Sequence, residues 1–198
     1  DQEGREAFDG FMPHVAGGKM GEFNHRFAQP SSQATRSGNS LFPFSDNPQT
    51  DPETGLTDGL LSLMATRGEL PKVLYSHTPS EYWAGHGSLM HLDITGTKDL
   101  DIPDAVRIYV FSGSQHALPS FPPVDNDADN YHGQHFFSII DYRACLRAAL
   151  SNLDRWVTTG EAAPPSQYPK IDDGTAVSTE ATVKSFSKIP GAKLPNPA

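Results

Sequence analysis

The sequence predicts an α/β fold in which parallel strands alternate with helices. Three short apolar segments are typical of strands, at residues 8–16, 72–76 and 106–111. Segments with helical features precede the second strand and follow the second and the third. This alternation favours a parallel sheet covered by helices, and such sheets bind ligands beyond the carboxyl ends of their strands.

The first strand is followed by a long loop and then by a short helix. Residues 19–56 show no persistent period, and four phenylalanines are spread among Asn, Ser, Pro and Gly. Loops of this length in a compact domain are usually functional or disordered. Thr57-Asp58 has the residue types of a helix N-cap and Gly68 that of a C-terminal stop, so we expect a helix between them.

A helix is expected after each of the next two strands. Thr78-Pro79-Ser80-Glu81 is a strong helix start, with Thr as the N-cap and Glu three residues later, and we expect that helix to reach Met90. The third strand leads through a Pro- and Asp-rich loop to a helix over Phe136–Thr158. Its apolar residues step by three or four, which defines one apolar face.

The chain divides into a folded part and a tail. Residues 1–163 contain every predicted strand and helix. Residues 164–198 are rich in Pro, Ser, Thr and Lys, and we expect an extended tail that packs on the folded part or is partly disordered.

The composition excludes several classes of partner. The 198 residues include 15 Lys and Arg against 24 Asp and Glu, and this net charge of −9 argues against nucleic acid. No apolar run approaches the roughly 20 residues of a membrane span. The single cysteine rules out an intrachain disulfide and is compatible with cytoplasm or export, of which we favour a secreted or periplasmic location.

His116 is the first candidate for a catalytic residue. It lies five residues after Phe111, on a Gly-containing turn at the carboxyl end of the third strand. An α/β enzyme places a general base at such a position, and histidine titrates near neutrality. The alternative is a loop histidine that hydrogen-bonds the backbone.

Glu81 is the candidate for the acid that orients the imidazole of His116. It follows the second strand by a short turn, near the carboxyl end of that strand. The same glutamate also occupies the capping-box position, from which it would accept a hydrogen bond from the N–H of Thr78. The local sequence by itself favours the capping role.

The sequence contains no recognisable nucleophile. No serine lies within the G-x-S-x-G pattern that a strand-to-helix elbow requires. Cys145 falls inside the last predicted helix, where we expect it to pack. A Walker A motif and a strand-linked G-x-G-x-x-G are also absent, so no cofactor is expected.

Two features raise the possibility of a metal site. The segment 125–129 is similar to the start of an EF-hand loop, but its sixth position is Asn130 instead of Gly and its twelfth is Phe136 instead of Glu. His132 and His135 lack the spacing of a standard helical pair of ligands. We predict no metal and keep a metal-dependent site in this loop as a third hypothesis.

Four residues are candidates for substrate binding. Asn24 and Arg26 lie in the long loop, and His77 and Trp83 follow the second strand at its carboxyl end. The guanidinium of Arg26 is suited to clamp a carboxylate with two hydrogen bonds, and equally suited to pin the loop through backbone carbonyls.

Several segments of the chain resemble those of a known family. They are Phe8–Gly17, Gly21–Pro30, Ser80–Trp83, Ser88–His91, Arg107–His116 and Pro165–Pro169. Together they resemble a family of bacterial proteins described as α/β-hydrolase-domain proteins, from about residue 5 into the tail. His77 departs from the resemblance, because we expect Asn there.

The resemblance implies a serine hydrolase that acts on small-molecule carboxylic esters, with this chain as the C-terminal half of its fold. The three strands would be the sixth, seventh and eighth of the sheet. The chain order serine, acid, histidine then assigns the acid to Glu81 and the histidine to His116. The nucleophile elbow, similar to Gly-x-Ser-Gln-Ser-Gly-Arg, would precede the first strand, in an N-terminal half that is the expected partner of this chain.

Two expectations follow from this interpretation. The chain alone should hydrolyse no ester, and the 8–16 strand should pair with another segment or chain, because an exposed strand edge invites pairing. The alternative function is a non-catalytic ligand-binding module, or a degenerate hydrolase, that uses the aromatic residues of the 19–56 loop.

Overall fold

A computed structural model describes residues 7–18, 42–68, 70–126 and 132–194 of the chain. Within them the predicted alternation of strands and helices is confirmed. The strands are β1 (Gly10–Phe11), β2 (Gln49–Thr50), β3 (Thr57–Asp58), β4 (Lys72–His77) and β5 (Val106–Val110), and the helices are α1 (Ser62–Ala65), α2 (Pro79–Trp83), α3 (Arg143–Thr159) and α4 (Thr179–Phe186).

The main sheet is parallel, with the strands in the order β1-β4-β5. The central strand β4 is buried from Val73 to His77, because it pairs with a strand on each side and both faces of the sheet are covered. Strand β1 is shorter than the predicted 8–16 segment, because Pro13 has no N–H to continue the ladder. A single bridge between His14 and Ser76 extends the pairing beyond Pro13.

Alternate residues of β4 and β5 pack into two separate core clusters, one on each face of the sheet. Leu74 faces α3 and packs with Ala149, Leu153 and Trp156 of that helix. The cluster on the opposite face has more buried residues, and these are Leu61, Val73, Tyr75, Met90, Val106 and Ile108.

The predicted helix before β4 begins later than expected. Thr57-Asp58 is not an N-cap, since these residues form β3 and pair antiparallel with β2. Helix α1 begins at Ser62, and Leu61 occupies the N-cap position without a side-chain hydrogen bond.

Helix α2 keeps its predicted start but ends early. The capping box at Thr78 is confirmed, whereas the helix stops at Trp83 instead of continuing to Met90. Gly85 has a left-handed backbone with φ 77° and turns the chain, and the N–H groups of His86 and Gly87 both donate to the carbonyl of Glu81. A short 3-10 turn follows at Ser88–Met90.

Helix α3 begins at Arg143 and not at Phe136. The preceding residues make long-range hydrogen bonds instead: the N–H of Phe137 donates to the carbonyl of Val124 at 2.7 Å. The Ser138 hydroxyl donates to the carbonyl of Gly113 at 2.7 Å. The apolar face therefore starts only at Tyr142, and Gly160 ends the helix in a left-handed conformation as predicted.

The segment after α3 lies against the outer edge of β5. The N–H of Gln167 donates to the carbonyl of Ile108, and the N–H of Val110 donates to the carbonyl of Gln167, both at 2.9 Å. Helix α4 follows, with Ser178 as its N-cap. The sequence analysis did not predict this helix.

Polar side chains are buried in the core on the Tyr75 face of the sheet. The Tyr75 hydroxyl donates to Asp46 at 2.8 Å, and the Tyr82 hydroxyl lies 2.9 Å from Nε2 of His91. His77 is fully buried, and neither ring nitrogen has a hydrogen-bond partner among the described residues. Burial lowers the pKa of His77 and of His91 to about 4, and burial raises the pKa of Asp46 to about 6.

These buried groups make stability dependent on pH. Between about pH 6 and pH 4, His77 and His91 bind a proton in the unfolded chain but not in the folded protein. Lowering the pH in this range therefore destabilises the fold. Asp46 acts in the opposite direction, because it binds its proton more tightly in the folded state. The two histidines outweigh the single carboxyl group, so the free energy of unfolding should fall as the pH is lowered from 6 to 4.

Replacing His77 by Phe isolates this effect. Urea unfolding of His77→Phe at pH steps from 6 to 4 should show a slope lower by about 1.4 kcal/mol per pH unit than that of the wild type. His132→Phe is the control, because the side chain of His132 is exposed. Identical slopes in His77→Phe and the wild type would show that His77 takes up its proton in the folded state.

Candidate active site

The turn between β4 and α2 places Glu81 at the carboxyl end of the central strand. Thr78 caps α2, and Oε2 of Glu81 accepts the backbone N–H of Thr78 at 2.7 Å and its hydroxyl at 2.9 Å. These two hydrogen bonds fix the orientation of the carboxylate. The cap uses only Oε2, and Oε1 takes no part in it. The capping role of Glu81 therefore leaves one oxygen for another partner.

That partner is His116, on the turn that follows β5. Nδ1 of His116 lies 2.6 Å from Oε1 of Glu81. The carboxyl side chain is almost completely buried, at 1% exposure, whereas the imidazole is 62% exposed. The structure thus brings together the two residues that the sequence singled out as candidate acid and candidate base.

Hydrogen bonding keeps Glu81 ionised in spite of its burial. Burial by itself raises the pKa of the carboxyl group, but the hydrogen bonds from His116 and Thr78 outweigh it and lower the pKa below the ordinary value. A carboxylate accepts but does not donate, so Nδ1 of His116 carries the hydrogen. In the neutral imidazole, Nε2 then holds the lone pair, and no hydrogen bond engages it among the described residues.

The main chain of His116 is held on both sides. Its N–H donates to the hydroxyl of Ser80 in the first turn of α2, at 3.0 Å. Its carbonyl accepts the hydroxyl of Tyr142, the residue that precedes α3, at 2.9 Å. The turn that carries the imidazole is therefore tied to the helices on both sides of it.

Tyr142 connects this turn to the segment that follows β1. Its ring is 3% exposed and lies between the rings of His14 and Phe111, with centroids 5.4 Å and 5.8 Å away. The hydroxyl is also 3.4 Å from Nε2 of His14, whose Nδ1 lies 2.8 Å from the hydroxyl of Ser76. Tyr142 falls within the helix that the sequence analysis expected over Phe136–Thr158, and the sequence gives no signal for the role of its hydroxyl.

The backbone next to His14 is strained. Val15 has φ 50°, which is rare for a β-branched residue, and its N–H donates to the carbonyl of Ser76 at 2.8 Å. Burial lowers the pKa of His14, so this imidazole is neutral at pH 7. A strained residue held by β4 thus turns a neutral histidine toward Tyr142.

The other predicted site residues lie elsewhere. His77 is fully buried and stacks on Tyr75, so it presents no surface to a substrate. Trp83 is 46% exposed at the end of α2 and packs edge-on against Phe186 of α4. Asn24 and Arg26 lie outside the described residues.

The features that suggested a metal site, and the single cysteine, have the following positions. Among the residues that the structure describes, no three His, Cys, Asp or Glu side chains are grouped to hold a metal. Residues 127–131 of the EF-hand-like segment lie outside that part, and Nε2 of His135 accepts the N–H of Lys193 at 2.9 Å. Cys145 is exposed on α3, so the expectation that it packs is wrong.

A buried carboxylate that orients a histidine, both following strands of a parallel sheet, is the arrangement by which α/β hydrolases position a general base. Residues 1–184 match the family model described as Alpha/beta hydrolase domain, and the chain belongs to this family. The predicted family and fold class are thereby confirmed, and the chain is a hydrolase-type module. No curated protein and no solved structure matches it. Within the described ranges, every helix is too short or too polar to cross a bilayer.

The Tyr142 hydroxyl should control the order of the His116 turn. Tyr142→Phe keeps the buried ring but removes the hydrogen bond to the His116 carbonyl, which should cost about 1 kcal/mol of stability. Amide hydrogen exchange at His116 should accelerate, because the turn is then held on one side only. NMR-detected exchange measures this effect.

Tyr109→Phe is the matched control. It also removes a tyrosine hydroxyl that donates to a backbone carbonyl, that of Pro164, at 2.6 Å. Exchange at His116 should stay as in the wild type. Equal acceleration in both variants would show a global loss of stability and contradict a local role of Tyr142.

Proposed function

We propose that this chain supplies the histidine and the acid of the catalytic triad of a serine hydrolase that cleaves small-molecule carboxylic esters. The 2.6 Å contact between Glu81 and His116 is the observation that supports this proposal. Glu81 is buried and fixed by Thr78, while the imidazole is exposed with Nε2 available. An oriented imidazole with an accessible lone pair is what a general base requires.

In the proposed reaction, a serine oxygen attacks the ester carbonyl carbon while Nε2 of His116 takes the serine proton. The tetrahedral intermediate expels the alcohol, which receives that proton from Nε2 and leaves an acyl-serine. Water then attacks the acyl carbon, Nε2 takes its proton, and the proton returns to the serine as the carboxylic acid departs. Glu81 stays ionised throughout and stabilises the imidazolium.

We infer that the nucleophile comes from outside this sequence, from an N-terminal half of the same domain. The sequence has no G-x-S-x-G, and no hydroxyl of the described residues bonds to Nε2 of His116. The outer edge of β1 has no strand partner among the described residues, and the ring of Phe8 is 65% exposed. A further strand from that half would pair with this edge and cover Phe8.

Trp83 is the candidate for a contact with the substrate. It lies two residues after Glu81 at the end of α2, and about half of its surface is free. An exposed aromatic ring at the end of the helix that carries Glu81 is suited to the apolar part of an ester.

The location of the nucleophile is tested by labelling. The pure chain should take up no fluorophosphonate label, and it should hydrolyse p-nitrophenyl acetate no faster than free imidazole, because it lacks an activated serine. Covalent labelling of a serine of this chain that is lost in His116→Ala would contradict an external nucleophile.

The pairing of acid and base is tested separately, by the tautomer of His116. Glu81→Gln keeps an oxygen for Thr78 but presents an amide to Nδ1, so the hydrogen should move from Nδ1 to Nε2. Nitrogen-15 NMR of the imidazole reports this change. In a protein that also contains the nucleophile, kcat should fall about 10⁴-fold, as for the same carboxylate-to-amide change in a serine protease.

Glu161→Gln is the control for the tautomer measurement, since Glu161 pairs with Arg155 on the surface. It should leave the nitrogen spectrum of His116 unchanged. If Glu81→Gln also leaves it unchanged, Glu81 serves only the helix cap. A non-catalytic ligand-binding module would then become the better interpretation.

A further inference from the structure

A cavity lies at the amino ends of β4 and β5, whereas His116 follows the carboxyl end of β5. It has a volume of about 730 Å³, and its walls include Leu70, Lys72, Asp104, Ala105, Arg107 and Trp156. Lys72 is the first residue of β4, and β4 extends for about 17 Å before it reaches the turn that carries Glu81. The cavity is therefore separate from the candidate active site.

Two cations converge in this cavity over one aromatic ring. Leu74 pairs with Arg107 across the strands, so Lys72, two residues before Leu74, projects from the same face as Arg107. Nζ of Lys72 lies 5.5 Å and Cζ of Arg107 4.7 Å from the centre of the Trp156 ring. The two charges are thus within about 10 Å of each other, where salt screens their repulsion incompletely.

Neither cation has an acidic partner in the part of the chain that the structure describes. Nε and Nη1 of Arg107 donate to the carbonyls of Ala163, Asp104 and Val106, which fixes the guanidinium. Nη2 has no hydrogen-bond partner among the described residues. Nζ of Lys72 makes no hydrogen bond to any residue in the described part of the chain. Lys72 and Arg107 are both partly buried beside the same ring, so an anion bound between them would offset their mutual repulsion.

We infer that the cavity binds a small organic acid. Its carboxylate would lie between Nζ of Lys72 and Nη2 of Arg107, and its apolar part against Leu70 and Ala105. The exposed carboxylate of Asp104 in the same cavity repels polyanions, which favours a ligand with one acidic group. The inference does not depend on the proposed hydrolase function, because it uses none of the residues around His116.

Benzoate tests this inference, because it combines one carboxylate with an apolar ring. The indole N–H resonance of Trp156 reports binding, and Trp83→Phe assigns it, since the chain has two tryptophans. Benzoate should shift this resonance saturably at concentrations up to about 10 mM, whereas the neutral analogue benzyl alcohol should not. The absence of a saturable shift with benzoate would overturn the inference.

Matched lysine variants locate the site. Lys72→Met should weaken benzoate binding at least tenfold, because a charge-assisted contact is lost. Lys170→Met is the control, since Lys170 lies 5.2 Å from the ring centre of Tyr168, the same type of contact away from the cavity. Equal weakening by both variants would contradict binding in this cavity. Inorganic phosphate that binds as tightly as benzoate would contradict the preference for an organic acid.

Discussion

The carboxylate of Glu81 holds the central strand, the following helix and the His116 turn in one arrangement. Its Oε2 accepts both hydrogen bonds from Thr78 and so begins α2, while its Oε1 accepts Nδ1 of His116. A buried carboxylate is costly unless its oxygens are bonded, and here three donors satisfy it. The stability of the turn and the orientation of the imidazole therefore depend on the same side chain.

The sequence predicted this region well because its determinants are local. Thr78, Pro79 and Glu81 form a capping motif within four residues, and capping and acid pairing looked like competing roles. In the structure they use different oxygens of one carboxylate. Glu81 and His116 are 35 residues apart along the chain, and their contact depends on the parallel register of β4 and β5. No local sequence pattern predicts that register.

The parts that the sequence predicted poorly depend on distant contacts. Residues 136–142 have helical periodicity, yet Phe137 and Ser138 bond to Val124 and Gly113, which removes them from the helix. Thr57-Asp58 has the residue types of a helix cap, but it pairs antiparallel with β2 and forms a strand instead. In each case a hydrogen-bond partner more than five residues away decides the structure, and propensity carries no information about that partner.

The histidines show how one residue type acquires different chemistry from its surroundings. His116 keeps an exposed ring and gains a carboxylate, whereas His77 is buried on the neighbouring strand with no partner among the described residues. His14 lies between these extremes, neutral and bonded through hydroxyl groups to β4 and to the residue that anchors His116. A general base needs an accessible imidazole, and an ionised partner fixes its tautomer and stabilises its protonated form. That combination, and not the number of nearby histidines, identifies His116 as the candidate base.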